Sequence, residues 1–328
     1  MHTNFLISIL VWNSKRLFDL TKSDLSEKIP LLFIISAAMI NLYEDIKSKN
    51  HYNKFEIGGL LFAEYKCPLE EKFVGIWTHT DYLVHVVSGK KTWHTTEGSF
   101  TAEAGQSLYF KKGAAIVEQF FNKEFCLLLF FVPDDFIRNV VNEYAGEINY
   151  SDDKNVSKQS TIRVNDDVAL NVFFQSMMTY FSGVERPSEA LLKLKLKELI
   201  LSILVSRNNP SLSNYFNSIA TRETPLVSEI MENNFRYNLS LENYAELCHR
   251  SLSSFKRDFQ QQYNETPGKW LLNKRLDYSA VLLRNNHLNI SQIVFESGFE
   301  DLSHFSRVFK SRFGVSPTQF RNRTVAQD

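Results

Sequence analysis

Basic and hydroxyl side chains are concentrated in two short segments late in the 328-residue chain, SLSSFKRDFQQQY and DLSHFSRVFKSRF. Each segment carries two phenylalanines four residues apart, Phe255 with Phe259 and Phe305 with Phe309. In a helix this spacing places each pair on one buried face and turns the polar side chains outward. Such side chains can hydrogen-bond to base edges and phosphates of DNA. The predicted DNA-contacting residues are Ser253, Ser254, Lys256, Arg257, Gln260, Leu302, Ser303, His304, Ser306, Arg307 and Lys310.

A shorter helix is predicted immediately before each of these two segments. The stretch LSLENYAELCHR starts behind Ser240, a favourable N-cap residue, and is followed by a tight break. The pattern recurs in NISQIVFESGF, where Gly298 supplies the turn and either Asp301 or Ser303 caps the next helix. Two short helices joined by a tight turn are typical of a helix-turn-helix motif. A long helix, KWLLNKRLDYSAVLLRN, is predicted between the two units.

Several short motifs in this region match a known family. They are Arg275-Leu276 in the long helix, Gly298-Phe299, HFSRVFK and FGVSP, with Phe320-Arg321 near the end. From about Pro225 to Arg323 the chain resembles the AraC/XylS family of bacterial transcription regulators. The resemblance implies a sequence-specific transcription regulator, an activator or a repressor, that binds promoter DNA, with RNA polymerase as a further expected partner. It places base contacts at Ser253, Lys256, Arg257, Leu302, Ser303 and Arg307.

Two residues depart from the family pattern, Val294 and Arg250, at positions that concern packing. Within the base-contact set, Arg257 and Arg307 are the predicted guanine readers, because a guanidinium can bond both O6 and N7. The Leu302 side chain cannot hydrogen-bond, so it either contacts a thymine methyl or reads the sequence only weakly. Lys256 and Lys310 can equally contact phosphates.

The charge distribution agrees with DNA binding by the last part of the chain. Lysine plus arginine equals aspartate plus glutamate, 37 each, so the whole chain is neutral. Between Arg250 and Arg323, however, there are twelve basic and six acidic residues. A basic module on an acidic body is typical of a DNA-binding domain.

The region from about Phe55 to Phe136 predicts β-structure, because short runs rich in Val, Ile, Phe and Tyr alternate with polar turns. Regular short strands predict a small antiparallel barrel or sandwich. The family resemblance implies a cupin-like barrel that either senses a ligand or mediates regulation. The aromatic candidates for a small-molecule effector site are Trp77, Tyr82, Trp93 and Tyr109, and their alternative role is core packing.

A second function class is a metal-dependent cupin enzyme with an accessory helical domain. A cupin metal centre needs several histidines and a carboxylate that converge. His79, His85 and His94 lie on candidate strands, but a HxH pair with a following Glu is missing. We therefore expect no metal, no cofactor, no catalytic residues and no enzymatic activity.

The fold class predicted is α+β: an N-terminal cupin-like antiparallel β-barrel with a helical dimerisation segment, then an all-α domain with two helix-turn-helix motifs. The expected divisions are 1–38, a non-native or unstructured extension, 39–150, the regulatory domain, 151–220, the dimerisation segment and linker, and 221–328, the DNA-binding domain. Residues 145–165 are predicted as a loop and residues 211–224 as a linker. The apolar stretch 29–43 is too short to span a bilayer.

The helix Glu189–Val205 has more apolar positions than one narrow stripe requires. We predict that one face packs within the domain and that another pairs with a second chain to form a homodimer, with Leu196 or Ile200 on the partner face. The alternative is a helix that packs only within its own domain. Three widely spaced cysteines without a CxxC motif fit a reducing cytosol, so a cytoplasmic protein is expected.

Overall fold

The computed structural model describes residues 39–66, 71–121, 124–146, 159–183, 185–221, 224–284 and 288–325. The predicted extension, 1–38, lies outside these residues. The described part of the chain contains eleven strands followed and flanked by twelve helices. The strands are β1 Ile40–Asn41, β2 Asn53–Ile57, β3 Leu60–Tyr65, β4 Phe73–Thr78, β5 Asp81–Ser88, β6 Lys90–Thr95, β7 Gly98–Glu103, β8 Ser107–Phe110, β9 Gly113–Gln119, β10 Cys126–Val132 and β11 Thr161–Val164.

The helices fall into three groups along the chain: two between strands, three directly after the last strand and seven in about the last hundred residues. They are α1 Leu42–Ser48, α2 Asp134–Glu143, α3 Val168–Ser182, α4 Glu189–Val205, α5 Pro210–Ala220, α6 Val227–Asn234, α7 Leu241–Leu247, α8 Leu252–Tyr263, α9 Pro267–Arg284, α10 Ile290–Glu296, α11 Leu302–Phe313 and α12 Pro317–Val325. The α+β class predicted from the sequence is confirmed.

The strands form two sheets that face each other. The five-stranded sheet has the order β1-β4-β9-β6-β7, and the six-stranded sheet has the order β11-β8-β5-β10-β3-β2. All pairs are antiparallel except β1 with β4, which run parallel. Among the described residues no ladder joins one sheet to the other. The architecture is therefore an open pair of sheets, and the predicted barrel is not closed.

Alternate residues of the central strands serve different cores. In β10, Leu127, Leu129 and Phe131 lie in the core between the sheets, whereas Leu128, Phe130 and Val132 lie in the core under the helices. Because both faces of the strand are covered, its sequence is a continuous apolar run instead of an alternating one. The six-stranded sheet thus separates the inter-sheet core from a layer of helices that includes α3, α4 and α5.

The outer face of the five-stranded sheet packs against the helical C-terminal region. Phe73, Trp77 and Ile116 share one core with residues of α6, α7 and α8, among them Ile230 and Tyr244. A separate core holds the last four helices together and contains Phe305 and Phe309. The layer order is therefore α3–α5, six-stranded sheet, five-stranded sheet, and then the first helices of the C-terminal region.

Two predicted loops are structured. The segment 211–224 contains α5, which starts at Pro210 and buries Leu212 and Phe216 against the sheet. Proline is favourable in the first turn of a helix, so Pro210, a few residues after α4 ends at Val205, begins α5. The segment predicted as a loop over 145–165 contains β11, which pairs with β8. Its four residues are too few for a strand pattern to be recognised in sequence.

A buried polar cluster connects the six-stranded sheet to the helices behind it. Asp81 is fully buried and accepts hydrogen bonds from Tyr109 Oη at 2.9 Å, Tyr215 Oη at 2.8 Å and the Lys112 backbone N–H at 2.8 Å. The Lys112 ammonium also pairs with Asp134 at the start of α2. Burial raises the pKa of Asp81, while the Lys112 charge opposes that shift.

Candidate DNA-binding site

The first helix-turn-helix unit consists of α7 and α8. The Ser240 side chain accepts a hydrogen bond from the Asn243 N–H, and Asn243 bonds back to Ser240, which fixes the start of α7. The turn is made by His249, whose φ of 52° lies in the left-handed region. Histidine is among the non-glycine residues that occur there. Ser251 then caps α8.

The second unit, α10 and α11, repeats this construction. Asn289 and Gln292 form the capping box of α10, and Gly298 occupies the left-handed turn with a φ of 83°. Of the two predicted caps, Asp301 is the one used: its carboxylate accepts from the backbone N–H of Ser303 and His304 at 3.1 and 2.7 Å. These two bonds lower the pKa of Asp301.

The Phe pairs occupy equivalent buried places on α8 and α11. Phe255, Phe259, Phe305 and Phe309 are fully buried, as their spacing predicted. The opposite faces are open to solvent, which leaves side chains accessible for contact with a nucleic acid. The exposed residues of the predicted set are Ser253, Lys256, Arg257, Gln260, Leu302, Ser303, His304, Arg307 and Lys310, and Ser254 and Ser306 are half-buried.

The two arginines predicted to read guanine have different surroundings. Arg257 Nε lies 3.3 Å from Asp258 Oδ1, and its Nη2 lies 3.4 Å from Ser254 Oγ. For Arg307, no described carboxylate lies within ion-pair distance, so the alternative of a salt bridge to Glu300 or Asp301 is not seen. The described structure shows no hydrogen bond or ion pair of the Arg307 side chain that base binding would have to break, whereas Arg257 has to give up or share its contacts with Ser254 and Asp258.

Asp258 is an acidic residue on α8 that the sequence reasoning left out of the site. It pairs with Arg250 and accepts a hydrogen bond from Ser254 Oγ at 3.2 Å. Desolvation acts in the opposite direction, but the bonds from Arg257 and Ser254 keep the pKa of Asp258 below its usual range. The i,i+4 spacing of Ser254 and Asp258 was a local signal that could have identified it.

Several basic residues of the C-terminal region are engaged in internal structure. Arg312 binds Asp277 of α9 through two nitrogen–oxygen contacts of 2.7 and 2.8 Å, and Arg321 donates to the Leu288 carbonyl at 2.8 Å. Arg275 is half-buried and donates to two backbone carbonyls. The sequence count of twelve bases thus overstates the charge available for DNA, because charge alone does not distinguish a solvent-facing arginine from a structural one.

The two family departures are explained by packing. Val294 is fully buried in the core of the second unit. Arg250, where an apolar residue is usual, is half-buried and held by Asp258 and by Thr224 Oγ1 at 3.4 Å. An ion pair takes the place of an apolar contact at this corner of the first unit.

The four aromatics predicted for an effector pocket do not share one cavity. Trp77 packs in the core with α6–α8, and Tyr109 lies in the core under α3–α5 with its hydroxyl on Asp81. Tyr82 and Trp93 do meet, in a cavity of about 50 Å³ between the sheets that is also lined by Lys91 and Val117. The four residues lie on four different strands, and the face of the sheet that each side chain occupies decides which core it enters.

The described residues contain no group of three or more histidine, cysteine or acidic side chains placed to hold a metal ion. None of the helices in the described ranges combines the length and the hydropathy of a membrane span. Of the three predicted histidine candidates, His85 stacks on Phe174 with ring centroids 3.9 Å apart, and His94 contacts Ser99 and Glu118. His79 contacts Glu246 of α7 at 3.2 Å.

Two family models match the chain: the ExsA N-terminal regulatory domain over residues 81–215, and a helix-turn-helix domain over residues 244–323. The virulence regulon transcriptional activator VirF of Yersinia enterocolitica is 24% identical over 247 residues, covering 75% of this chain and 90% of VirF. The HTH-type transcriptional regulator ExsA of Pseudomonas aeruginosa is 27% identical over 128 residues, covering 39% of this chain and 46% of ExsA. Among solved structures, an apo form of ToxT from Vibrio cholerae matches with 15% identity over 81% of this chain and 98% of that chain, with a TM-score of 0.39.

The two matched regions fit the architecture described above: the regulatory-domain model starts at β5 and ends within α5, and the helix-turn-helix model starts within α7 and ends within α12. The relatives are transcription regulators, which supports the regulator reading and not the cupin enzyme. The chain carries an AraC-type helix-turn-helix domain after a regulatory domain of the ExsA type, and it is a DNA-binding regulator of transcription.

Proposed function

We propose that α8 and α11 are two recognition helices that enter successive major-groove segments on one face of promoter DNA. The observation that carries this proposal is the matched construction of the two units. Each presents an exposed polar face opposite a buried Phe pair, and both are packed onto the single helix α9. Successive major-groove segments on one face lie about 34 Å apart.

Base reading is assigned to Arg257 and Arg307, with Ser253 and Ser303 near the starts of their helices as further contacts. Leu302, 43% exposed, is suited to a thymine methyl. Lys256 and Lys310 supply phosphate or base contacts, and the exposed Lys269 adds positive charge near the same helices. Phosphate contacts should make the affinity fall steeply with salt.

The test is selection of a binding site by the full chain from a random double-stranded DNA pool, followed by footprinting. A monomer should protect about two helical turns without two-fold symmetry. The double variant Lys256→Ala/Arg307→Ala should lose the selected site, while Lys193→Ala, at an exposed position of α4 outside both units, should bind as wild type. Protection confined to one short palindromic half-site would overturn the two-helix proposal.

We further propose that the N-terminal sheets regulate DNA binding, which the match to a regulatory-domain model supports. A small organic effector would occupy the inter-sheet cavity beside Tyr82 and Trp93. The large-for-small substitution Val117→Phe should fill this cavity and remove any effector response while leaving DNA affinity intact. Equal responses of the variant and wild type would place the effector elsewhere.

A homodimer through α4 is proposed with a different face from the one predicted. Leu196 and Ile200 are fully buried against the domain's own core, so they cannot face a partner. Leu194 and Val205 are 62% and 66% exposed and border a shallow groove with Leu201. Leu194→Asp should therefore give monomers in sedimentation experiments, whereas Lys193→Ala should not. An unchanged oligomeric state in Leu194→Asp would refute this interface.

Activation at a promoter implies contact with RNA polymerase, which we propose as a protein partner of the DNA-bound chain in the cytoplasm. Residues 39–150, 151–220 and 221–328 are proposed as the regulatory, dimerisation and DNA-binding parts. A reconstituted transcription reaction with purified polymerase and a template carrying the selected site tests the proposed contact with RNA polymerase. A rise in transcript that requires the site supports activation. A fall in transcript that requires the site would show repression instead and contradict the proposal.

A further inference from the structure

The segment 235–238, between α6 and α7, is where both helix-turn-helix units and the regulatory sheets meet. Arg236 donates from Nε to the Glu296 carbonyl at 3.1 Å and from Nη2 to the Glu296 carboxylate at 2.8 Å. Its Nη1 lies 3.5 Å from the Thr96 carbonyl, in the turn between β6 and β7. One side chain thus contacts the last residue of α10 and the regulatory region, while its backbone lies in the segment that leads into α7 of the first unit.

The Arg236 contacts are sheltered from solvent. The side chains of Arg236 and Glu296 are 17% and 14% exposed, and the guanidinium lies 4.9 Å from the centre of the Tyr278 ring on α9. Burial raises the pKa of Glu296, and the charge of Arg236 opposes that shift. Removing Arg236 would leave a largely buried carboxylate without its cation, which costs more than the loss of a surface pair.

The backbone of the same segment is fixed from two sides. Arg275 of α9 donates to the carbonyls of Phe235 at 2.6 Å and Tyr237 at 2.8 Å. On the other side, Gly298, the turn residue of the second unit, approaches so closely that an added Cβ would lie 2.7 Å from the Arg236 carbonyl oxygen. A displacement of this segment therefore moves the turn that leads into α11.

We infer that Arg236 is a positioning residue that holds the second helix-turn-helix unit at a fixed angle to the first and so sets the half-site spacing at which both recognition helices can bind. This inference rests on the proposed function. Two linked modules gain affinity only when both can engage at once. A fixed angle limits that gain to one spacing, because each added base pair rotates the second half-site around the DNA axis.

The experiment compares Arg236→Ala and Arg236→Lys with a matched control, Lys274→Ala. Lys274 of α9 forms a 2.6 Å ion pair with Glu232 of α6, so its removal also deletes one interhelical cation but leaves the second unit untouched. The probes are the site selected by the wild-type full chain and derivatives with one, two or five base pairs inserted between its halves. Affinities are measured by fluorescence anisotropy.

Wild type and Lys274→Ala should bind the selected spacing at least about tenfold better than the five-base-pair insertion. In Arg236→Ala this ratio should fall to about threefold or less, mostly through weaker binding at the selected spacing, and Arg236→Lys should be intermediate. A spacing profile in Arg236→Ala that matches wild type overturns the inference while the proposed DNA binding stands.

Hydrogen exchange of the free chain gives a readout that does not need DNA. Arg236→Ala should speed exchange of backbone amides in residues 290–301 and leave those of α7 and α8 unchanged, whereas Lys274→Ala should not affect 290–301. If wild type selects no DNA site, the proposed function fails, and hydrogen exchange alone then tests whether Arg236 positions the second unit. Unchanged exchange in 290–301 then overturns the positioning role, and local acceleration supports it.

Discussion

Replacing Arg307 by alanine tests whether α11 reads bases. Arg307 lies two residues after the buried Phe305, about 200° around the helix, and its side chain is exposed. No described carboxylate pairs with it, so the substitution breaks no ion pair seen in the structure. The free-energy change should therefore come from the lost DNA contact.

The magnitude follows from the chemistry of a bidentate arginine–guanine contact, which is worth about 1–3 kcal/mol of discrimination. Binding to the selected site should weaken about 5- to 150-fold, and the preference at one base pair should relax. The matched control is Arg312→Ala on the same helix. It removes the same charge, but Arg312 is bound to Asp277, so its loss should lower stability and affect all DNA sequences alike.

The assay is a titration of both variants against the selected site and against every single-base variant of that site, at fixed salt. Base-specific loss at one position, present in Arg307→Ala and missing in Arg312→Ala, is expected. A uniform loss across all sequences would make Arg307 a phosphate contact. No loss at any sequence would refute the assignment of α11 as a recognition helix led by this residue.

Three further changes concern stability. Burial lowers the pKa of His85 to about 4, so between pH 6.5 and 4 this residue is protonated in the unfolded chain but not in the folded chain. Over this pH range the free energy of unfolding of wild type should therefore fall by about 3 kcal/mol relative to that of His85→Asn. Gly298→Ala should cost about 2 kcal/mol, since its φ is 83° and the new Cβ would meet the Arg236 carbonyl. Tyr215→Phe should cost about 1–3 kcal/mol, because buried Asp81 loses a hydrogen bond.

Each of these values is measured by urea denaturation with the full chain. Parallel pH profiles for wild type and His85→Asn would contradict the burial effect on the imidazole. Wild-type stability of Gly298→Ala would mean that the turn relaxes without strain. For Tyr215→Phe the control is Tyr263→Phe, at a half-buried position on α8; equal stabilities of the two variants would contradict the role of the Asp81 cluster.

The sequence by itself determined the helix-turn-helix units. Their signals are local: Phe pairs four residues apart, capping residues and Gly298 specify helix, face and turn within about a dozen positions. For the same reason, helical periodicity predicted which side chains of α8 and α11 face away from the buried Phe pairs. The strand-rich character of the first region was also readable, because β-branched and aromatic runs between turns are local features.

Tertiary structure alone decided which residues meet across the chain. The separation of Trp77, Tyr82 and Tyr109 into three cores depends on which sheet faces which layer, and a strand's own sequence does not contain that information. Leu196 and Leu194 differ by two positions on one helix, yet only packing against α3 and α5 made the first buried and the second exposed.

The charges show the same division most clearly. Arg307 and Arg312 are five residues apart on α11 and carry the same side chain, but of the two only Arg312 forms an ion pair with Asp277, 35 residues earlier in the chain. Likewise, Arg236 gains its position from Glu296, 60 residues away, and from Thr96 in the regulatory sheets. Contacts between residues so distant along the chain depend on the packing of whole elements, which is why the sequence predicted the recognition helices but not the residues that hold them in place.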